Sequence, residues 1–192
     1  MMSAMSDRTL VTGFLAFEGF DVNPSALLAE QSGRRFELIE VAYQAADEFV
    51  ARLDPSTFDR WLILGVAGKS TRLRTENLAR NVVGQRPDVR GIVLGPGKID
   101  PAGPDTLPGT LFRSPIFATE TSTRQPSNDA GKYLCNYIYF RALRRFEGMN
   151  KSIGFLHVPP LEQMPLDTQL RTVREILEQV EQTPTSETVV RS

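Results

Sequence analysis

The segment Arg60 to Val66 sets Trp-Leu-Ile-Leu-Gly-Val behind a single arginine and is bounded by the glycines of Gly65-Val66-Ala67-Gly68. An unbroken apolar run of this length, with no polar alternation, suits a strand covered on both faces, as in the middle of a parallel sheet. Such a sheet needs helices above and below it, so the remaining chain must supply amphipathic segments between further strands.

The rest of the sequence meets that demand. Thr9 to Phe14 and Phe36 to Tyr43 read as strands, and Ser152 to Val158 reads as another, stopped by Pro159-Pro160, which cannot donate to a ladder. Asn23-Pro24-Ser25 offers a helix start ahead of Ala26, Leu27 and Leu28, and Ala45 to Leu53 has helical apolar spacing. Asp129 to Phe146 brings Tyr133, Tyr137, Phe140 and Leu143 to one helical face, with Asn128 or Asp129 as cap; Leu166 to Val180 forms a last helix. Asn81 to Pro108, rich in Gly, Pro and Asp, is expected to be loop or irregular hairpin, and Ile116 to Arg124, behind Pro115, is poor in helix formers. The alternation predicts an α/β fold with a mostly parallel sheet covered by helices on both faces. With no repeat and no dividing linker, residues 9–182 are expected to form a single domain between a tail of residues 1–8 and a polar tail of residues 183–192.

Charge excludes some functions. With 22 basic and 23 acidic residues there is no broad electrostatic footprint for nucleic acid or an anionic membrane, so a small, roughly neutral partner fits better. Met1 to Arg8 lacks the apolar stretch of a secretory signal, and no run approaches the roughly 20 apolar residues that span a bilayer, so the expected location is the cytoplasm. A single cysteine cannot form an internal disulfide, and one Cys with one His is too few for a structural zinc site.

Those two rare residues are the candidates for chemistry. Cys135 falls about one turn into the helix expected from Ala130-Gly131, where unpaired N–H groups and the helix dipole favour ionisation of a thiol. By itself, between Tyr133 and Tyr137, it reads more readily as a small buried hydrophobe, the commonest fate of an unpaired cysteine. His157 ends a strand, where α/β sheets present functional side chains. Together they suit the arrangement in which imidazole takes a thiol proton and later protonates a leaving amine. Glu76, downstream of the buried strand, lies on the same side of the sheet, but spacing alone does not separate it from a solvated glutamate. Gly68-Lys69-Ser70 after a strand invites a phosphate-loop reading; that motif needs a glycine where Ile63 stands, so the reading fails.

Four separated stretches resemble the signature segments of the pyroglutamyl peptidase I (pyrrolidone-carboxylate peptidase) family. Val11-Thr12-Gly13-Phe14-Leu15-Ala16-Phe17-Glu18-Gly19, with Asn23-Pro24-Ser25 after it, is similar to the family's opening V-T-G-F-x-P-F-G-G and N-P-S. Gly65-Val66-Ala67-Gly68, followed by Glu76 and Asn81, resembles the segment carrying the catalytic glutamate. Asp129-Ala130-Gly131-Lys132-Tyr133-Leu134-Cys135-Asn136 is close to the nucleophile motif, and Gly154-Phe155-Leu156-His157-Val158-Pro159 to the histidine motif, in the family's order.

The resemblance implies a three-layer α/β/α sandwich and a cysteine peptidase that removes N-terminal pyroglutamate (5-oxoproline) from small peptides. It implies no metal and no organic cofactor, and an assembly of two or four copies. Cys135 would be the nucleophile, His157 the base and Glu76 the group orienting it. Phe14 and Phe17 would stack on the lactam ring, and Asn23 would bond or support its edge. Val66 would line the substrate side, and Arg86, ten residues after Glu76, would help stabilise the oxyanion. Ala16 stands where the family usually has proline and Glu18 where it has glycine, changes that would shift substrate preference. Two other readings remain compatible with these residues: a related thiol hydrolase acting on a different amide or lactam, and a non-catalytic binding protein that retains the fold.

Overall fold

The computed structural model describes residues 8–17, 19 and 21–185. Most of both expected tails, and Glu18, lie outside the described residues, and the reading of residues 9–182 as one domain stays a proposal. Among the described residues, eight strands and four α-helices follow one another as β1 (Thr9–Phe14), α1 (Pro24–Gln31), β2 (Arg35–Ile39), α2 (Tyr43–Arg52), β3 (Arg60–Val66), β4 (Leu73–Glu76), β5 (Leu78–Arg80), β6 (Thr106–Pro108), β7 (Arg124–Ser127), α3 (Leu134–Arg145), β8 (Ser152–Val158) and α4 (Leu166–Gln182). Six strands form one sheet in the order β2-β1-β3-β8-β4-β7, while β5 and β6 pair separately as an antiparallel hairpin. All neighbours in the large sheet are parallel except β4, which runs against β8.

The period of two along β3 explains the layering. Trp61 and Ile63 enter a core shared with Tyr43, Phe49, Tyr139 and Phe140, whereas Leu62 and Leu64 enter a second core with Leu28, Val173, Ile176 and Leu177. Helices α2 and α3 thus cover one face and α1 and α4 the other, which is the expected three-layer α/β/α sandwich. No helix among the described residues is long and apolar enough to cross a membrane.

Several boundaries differ from expectation. The strand expected over Phe36 to Tyr43 ends at Ile39, and Tyr43 instead opens α2, where its N–H donates to Asp88 Oδ2 at 2.9 Å. The helix expected from Asp129 begins only at Leu134, because Gly131 adopts a φ of 84° that breaks helical continuity; neither Asn128 nor Asp129 caps it. Asp129 Oδ1 accepts from the Gly131 N–H at 3.0 Å, stabilising a turn in place of a helix start. β4 and β7 are short strands with no apolar run to announce them in the sequence. The proline-rich excursion after β5 is the irregular hairpin expected, with one isolated bridge between Val83 and Gly97. After β3 the chain turns through Ser70 N–H to Ala67 O at 2.9 Å and enters β4, not a helix, so the lysine-serine pair has no phosphate-binding frame.

Candidate active site

β3 and β8 run parallel with Gly65 opposite His157. A Cβ built on Gly65 would stand 2.9 Å from Cys135 Sγ and 2.6 Å from the Phe155 ring. Since neighbouring strands lie about 4.8 Å apart, the missing side chain at position 65 lets the sulfur settle one rung from the histidine. Cys135 is the second residue of α3, nearer the helix N-terminus than its expected place one turn in. Its neighbour Asn136 fixes that end of the helix: the side-chain Oδ1 accepts from the Arg80 N–H at 2.9 Å, and Nδ2 donates to Arg80 O at 2.8 Å and Val82 O at 2.9 Å.

Glu76 is not the solvated loop glutamate that spacing left open. It ends β4, is fully buried, and places Oε1 2.7 Å from His157 Nδ1. The Asp129 N–H donates to Oε2 at 3.2 Å, and Tyr139 Oη donates to the Glu76 backbone carbonyl at 2.9 Å. Arg74, two residues earlier on the same side of β4, brings Nη2 to 3.2 Å from both Oε1 and His157 Nδ1. Sequence reasoning did not single out Arg74 because its two-residue spacing from Glu76 has meaning only once the segment is known to be a strand.

Burial works against the Glu76 carboxylate, but the hydrogen bond and charge of His157, then Ser127 and Arg74, hold it below its ordinary 4.5. Burial pushes the His157 imidazole below 6.5, only partly offset by Glu76. Burial, with Glu76 adding to it, pushes the Cys135 thiol up to about 12 despite the opposing pull of Arg74, Arg86 and its own backbone amide. Burial thus opposes the ionisation that the helix N-terminus favours.

Both depressed values make stability pH-dependent in one direction. Below 6.5 the unfolded chain protonates its histidine while the folded one resists, and below 4.5 the same holds for Glu76. Stability from these groups is complete above 6.5 and is lost in two stages as pH falls. Thermal melts at pH 7.5 and about pH 5.5 are expected to differ less in His157→Gln than in the parent; equal differences would refute the assignment.

All five residues expected on the substrate side, Phe14, Phe17, Asn23, Val66 and Arg86, line one cleft of about 60 Å³ together with Cys135. Val41, Tyr133 and Leu134, which sequence reasoning missed, complete it. At roughly 10–15 Å³ per water-sized group, that space suits one small ring. Asn23 is largely committed: Oδ1 accepts from Ser25 N–H at 3.0 Å and Ser25 Oγ at 2.8 Å, and Nδ2 donates to Leu15 O at 3.1 Å. The Arg86 guanidinium sits 4.5 Å over the Tyr133 ring. Ala16 is exposed just ahead of Phe17. Larger hollows, such as a groove of about 410 Å³ beside Phe146 and Lys151 and one of about 640 Å³ beside Pro24 and Pro160, hold neither Cys135 nor His157.

Comparison with known proteins identifies a family and a shared fold. Residues 7–181 match the family model described as pyroglutamyl peptidase. The pyrrolidone-carboxylate peptidase of Thermococcus onnurineus is 32% identical over 176 residues, covering 83% of this chain and 87% of that protein. The crystal structure of pyrrolidone carboxyl peptidase from Thermus thermophilus superposes with a TM-score of 0.76 at 33% identity, covering 88% of this chain and 98% of that one. The Pyrococcus furiosus enzyme structure gives 0.80 at 26% identity, covering 90% and 97%.

Proposed function

Because the chain belongs to the pyroglutamyl peptidase family of cysteine-type hydrolases, we propose that it removes N-terminal pyroglutamate from small peptides by acyl transfer through Cys135. The observation that carries this reading is the convergence of the only cysteine with Phe14, Phe17, Asn23, Val66 and Arg86 on one small cleft, its sulfur beside Gly65, the residue in register with His157.

With Glu76 ionised, Oε1 accepts from a protonated Nδ1, which fixes the tautomer and leaves the Nε2 lone pair as the base. The thiol is un-ionised at rest, so its proton passes to Nε2 as the sulfur attacks the pyroglutamyl carbonyl carbon. The carbonyl oxygen gains negative charge, which Arg86 and N–H groups at the start of α3 would stabilise. Collapse breaks the C–N bond, and the imidazolium returns its proton to the departing amine. Water, deprotonated by the same nitrogen, then hydrolyses the thioester, releasing 5-oxoproline and the free thiol.

The substrate's end is a neutral lactam, so an apolar, desolvated slot can hold it at little cost while a charged α-amine would lose its hydration. Asn23 supports the cleft wall more than it binds, since its oxygen already serves Ser25. Cytoplasmic residence, expected from the sequence pattern, and assembly into a dimer or tetramer, carried from the family resemblance, belong to the same proposal; light scattering tests the second.

The deciding experiment is hydrolysis of pyroglutamyl and ordinary aminoacyl arylamides by purified protein, with and without alkylation. Rapid release from the pyroglutamyl compound alone, abolished once Cys135 is alkylated, is the expected result. Comparable cleavage of the aminoacyl compounds would favour a different thiol hydrolase. No cleavage, with Cys135 inert to alkylation, would favour a binding protein.

A further inference from the structure

Arg74 is placed at unusual cost. It stands opposite His157 in the β4–β8 ladder, its Nε is buried without a hydrogen-bond partner, and only 28% of its side chain is exposed. Buried donors left unpaired destabilise a fold, so such a placement calls for a compensating role. Its other contacts are Oε1 of Glu76 at 3.2 Å, Nδ1 of His157 at 3.2 Å and the Asp129 carbonyl at 3.3 Å.

A guanidinium can only donate. If Nδ1 accepted from Arg74, that nitrogen would face the ionised Oε1 at 2.7 Å as one acceptor against another, which is repulsive. Nδ1 therefore carries the proton and donates to Oε1, while the Arg74 guanidinium forms an ion pair with the same oxygen at 3.2 Å. One carboxylate oxygen thus serves two cationic or proton-bearing partners.

We propose that Arg74 is a positioning residue of this site, sharing Oε1 of Glu76 with the imidazole so that the carboxylate stays charged while His157 stays neutral and able to accept a proton. The proposal rests on the reading of His157 as the base. The groups facing the imidazole are Glu76 and Arg74 from β4, Asp129 from the turn before α3, and Cys135 from α3; β3 offers only Gly65 and Val66. Glu76 and Asp129 favour imidazolium, and Arg74 is the cation set against them. Arg74 also eases ionisation of the Cys135 thiol.

The chain has one histidine, so a single ring-proton NMR resonance in untagged protein reports its titration without reference to any substrate. Arg74→Met and Arg74→Gln, both neutral, are expected to raise the midpoint by about one pH unit, and Arg74→Lys to leave it within a few tenths. The acid limb of kcat/KM on a pyroglutamyl arylamide is expected to move by the same amount in the same variants. An unchanged or lowered midpoint in either neutral variant would overturn the proposal. Failure of every variant and the parent to cleave the arylamide would sink the functional reading instead, while the NMR titration would still decide the role of Arg74.

Discussion

Cys135→Ser is expected to reduce kcat/KM on a pyroglutamyl arylamide by roughly a thousandfold or more, with little change in thermal stability. The exchange of sulfur for oxygen is close to isosteric, and the side chain stays against Gly65 and the Phe155 ring. What changes is the acidity and nucleophilicity of the attacking atom. The imidazole is held below its ordinary basicity by burial, so it is a weak partner for an alcohol much less acidic than a thiol. Circular dichroism melts alongside steady-state kinetics separate loss of chemistry from loss of fold. Hydrolysis at the parent rate would remove Cys135 from the mechanism.

The second large effect is expected at a residue with no side chain. Gly65→Ala would drive a methyl group to 2.9 Å from Cys135 Sγ and 2.6 Å from Phe155, inside the contact distance of both. Because β3 is a central strand, held by β1 on one side and β8 on the other, the backbone has little room to retreat and the side chains must move. Overpacking of this kind costs about 1–3 kcal/mol, and displacing a reacting atom by about an ångström costs roughly a hundredfold in rate. Gly97→Ala makes a suitable control, since nothing lies within 4 Å of its added carbon. Kinetics and melts on both variants are the check; parent-like activity in Gly65→Ala would mean that the sulfur does not depend on this gap.

The strands that could be read from sequence were those whose stability is their own. β3 and β8 carry apolar runs long enough to declare burial on both faces, and both have the expected bounds. β4 and β7 are four residues each, with Arg74 and Glu76 in one and Arg124, Gln125 and Pro126 in the other. Nothing local favours a strand there; pairing with β8 and with each other does. β7 tolerates its proline because it lies at the sheet edge.

The same division applies to the site. Cys135 and His157 stood out by being single and well placed, whereas Glu76 emerged from the family resemblance and Arg74 from neither. A helix N-terminus is visible in sequence, while the burial that opposes thiol ionisation there is not. Likewise Gly131 could be seen as a glycine, but not that it would take a positive φ and delay α3 to Leu134.

Glu76 and His157 sit on adjoining strands of the main sheet, but α3 is tied through Asn136 to Arg80 and Val82, at the root of the separate hairpin. The proton-handling half of the machinery thus inherits the stiffness of the scaffold, and the nucleophilic half answers to a surface excursion. A substitution that shifts residues 81–108 therefore acts on the reach of the thiol through Asn136 and leaves its base in place.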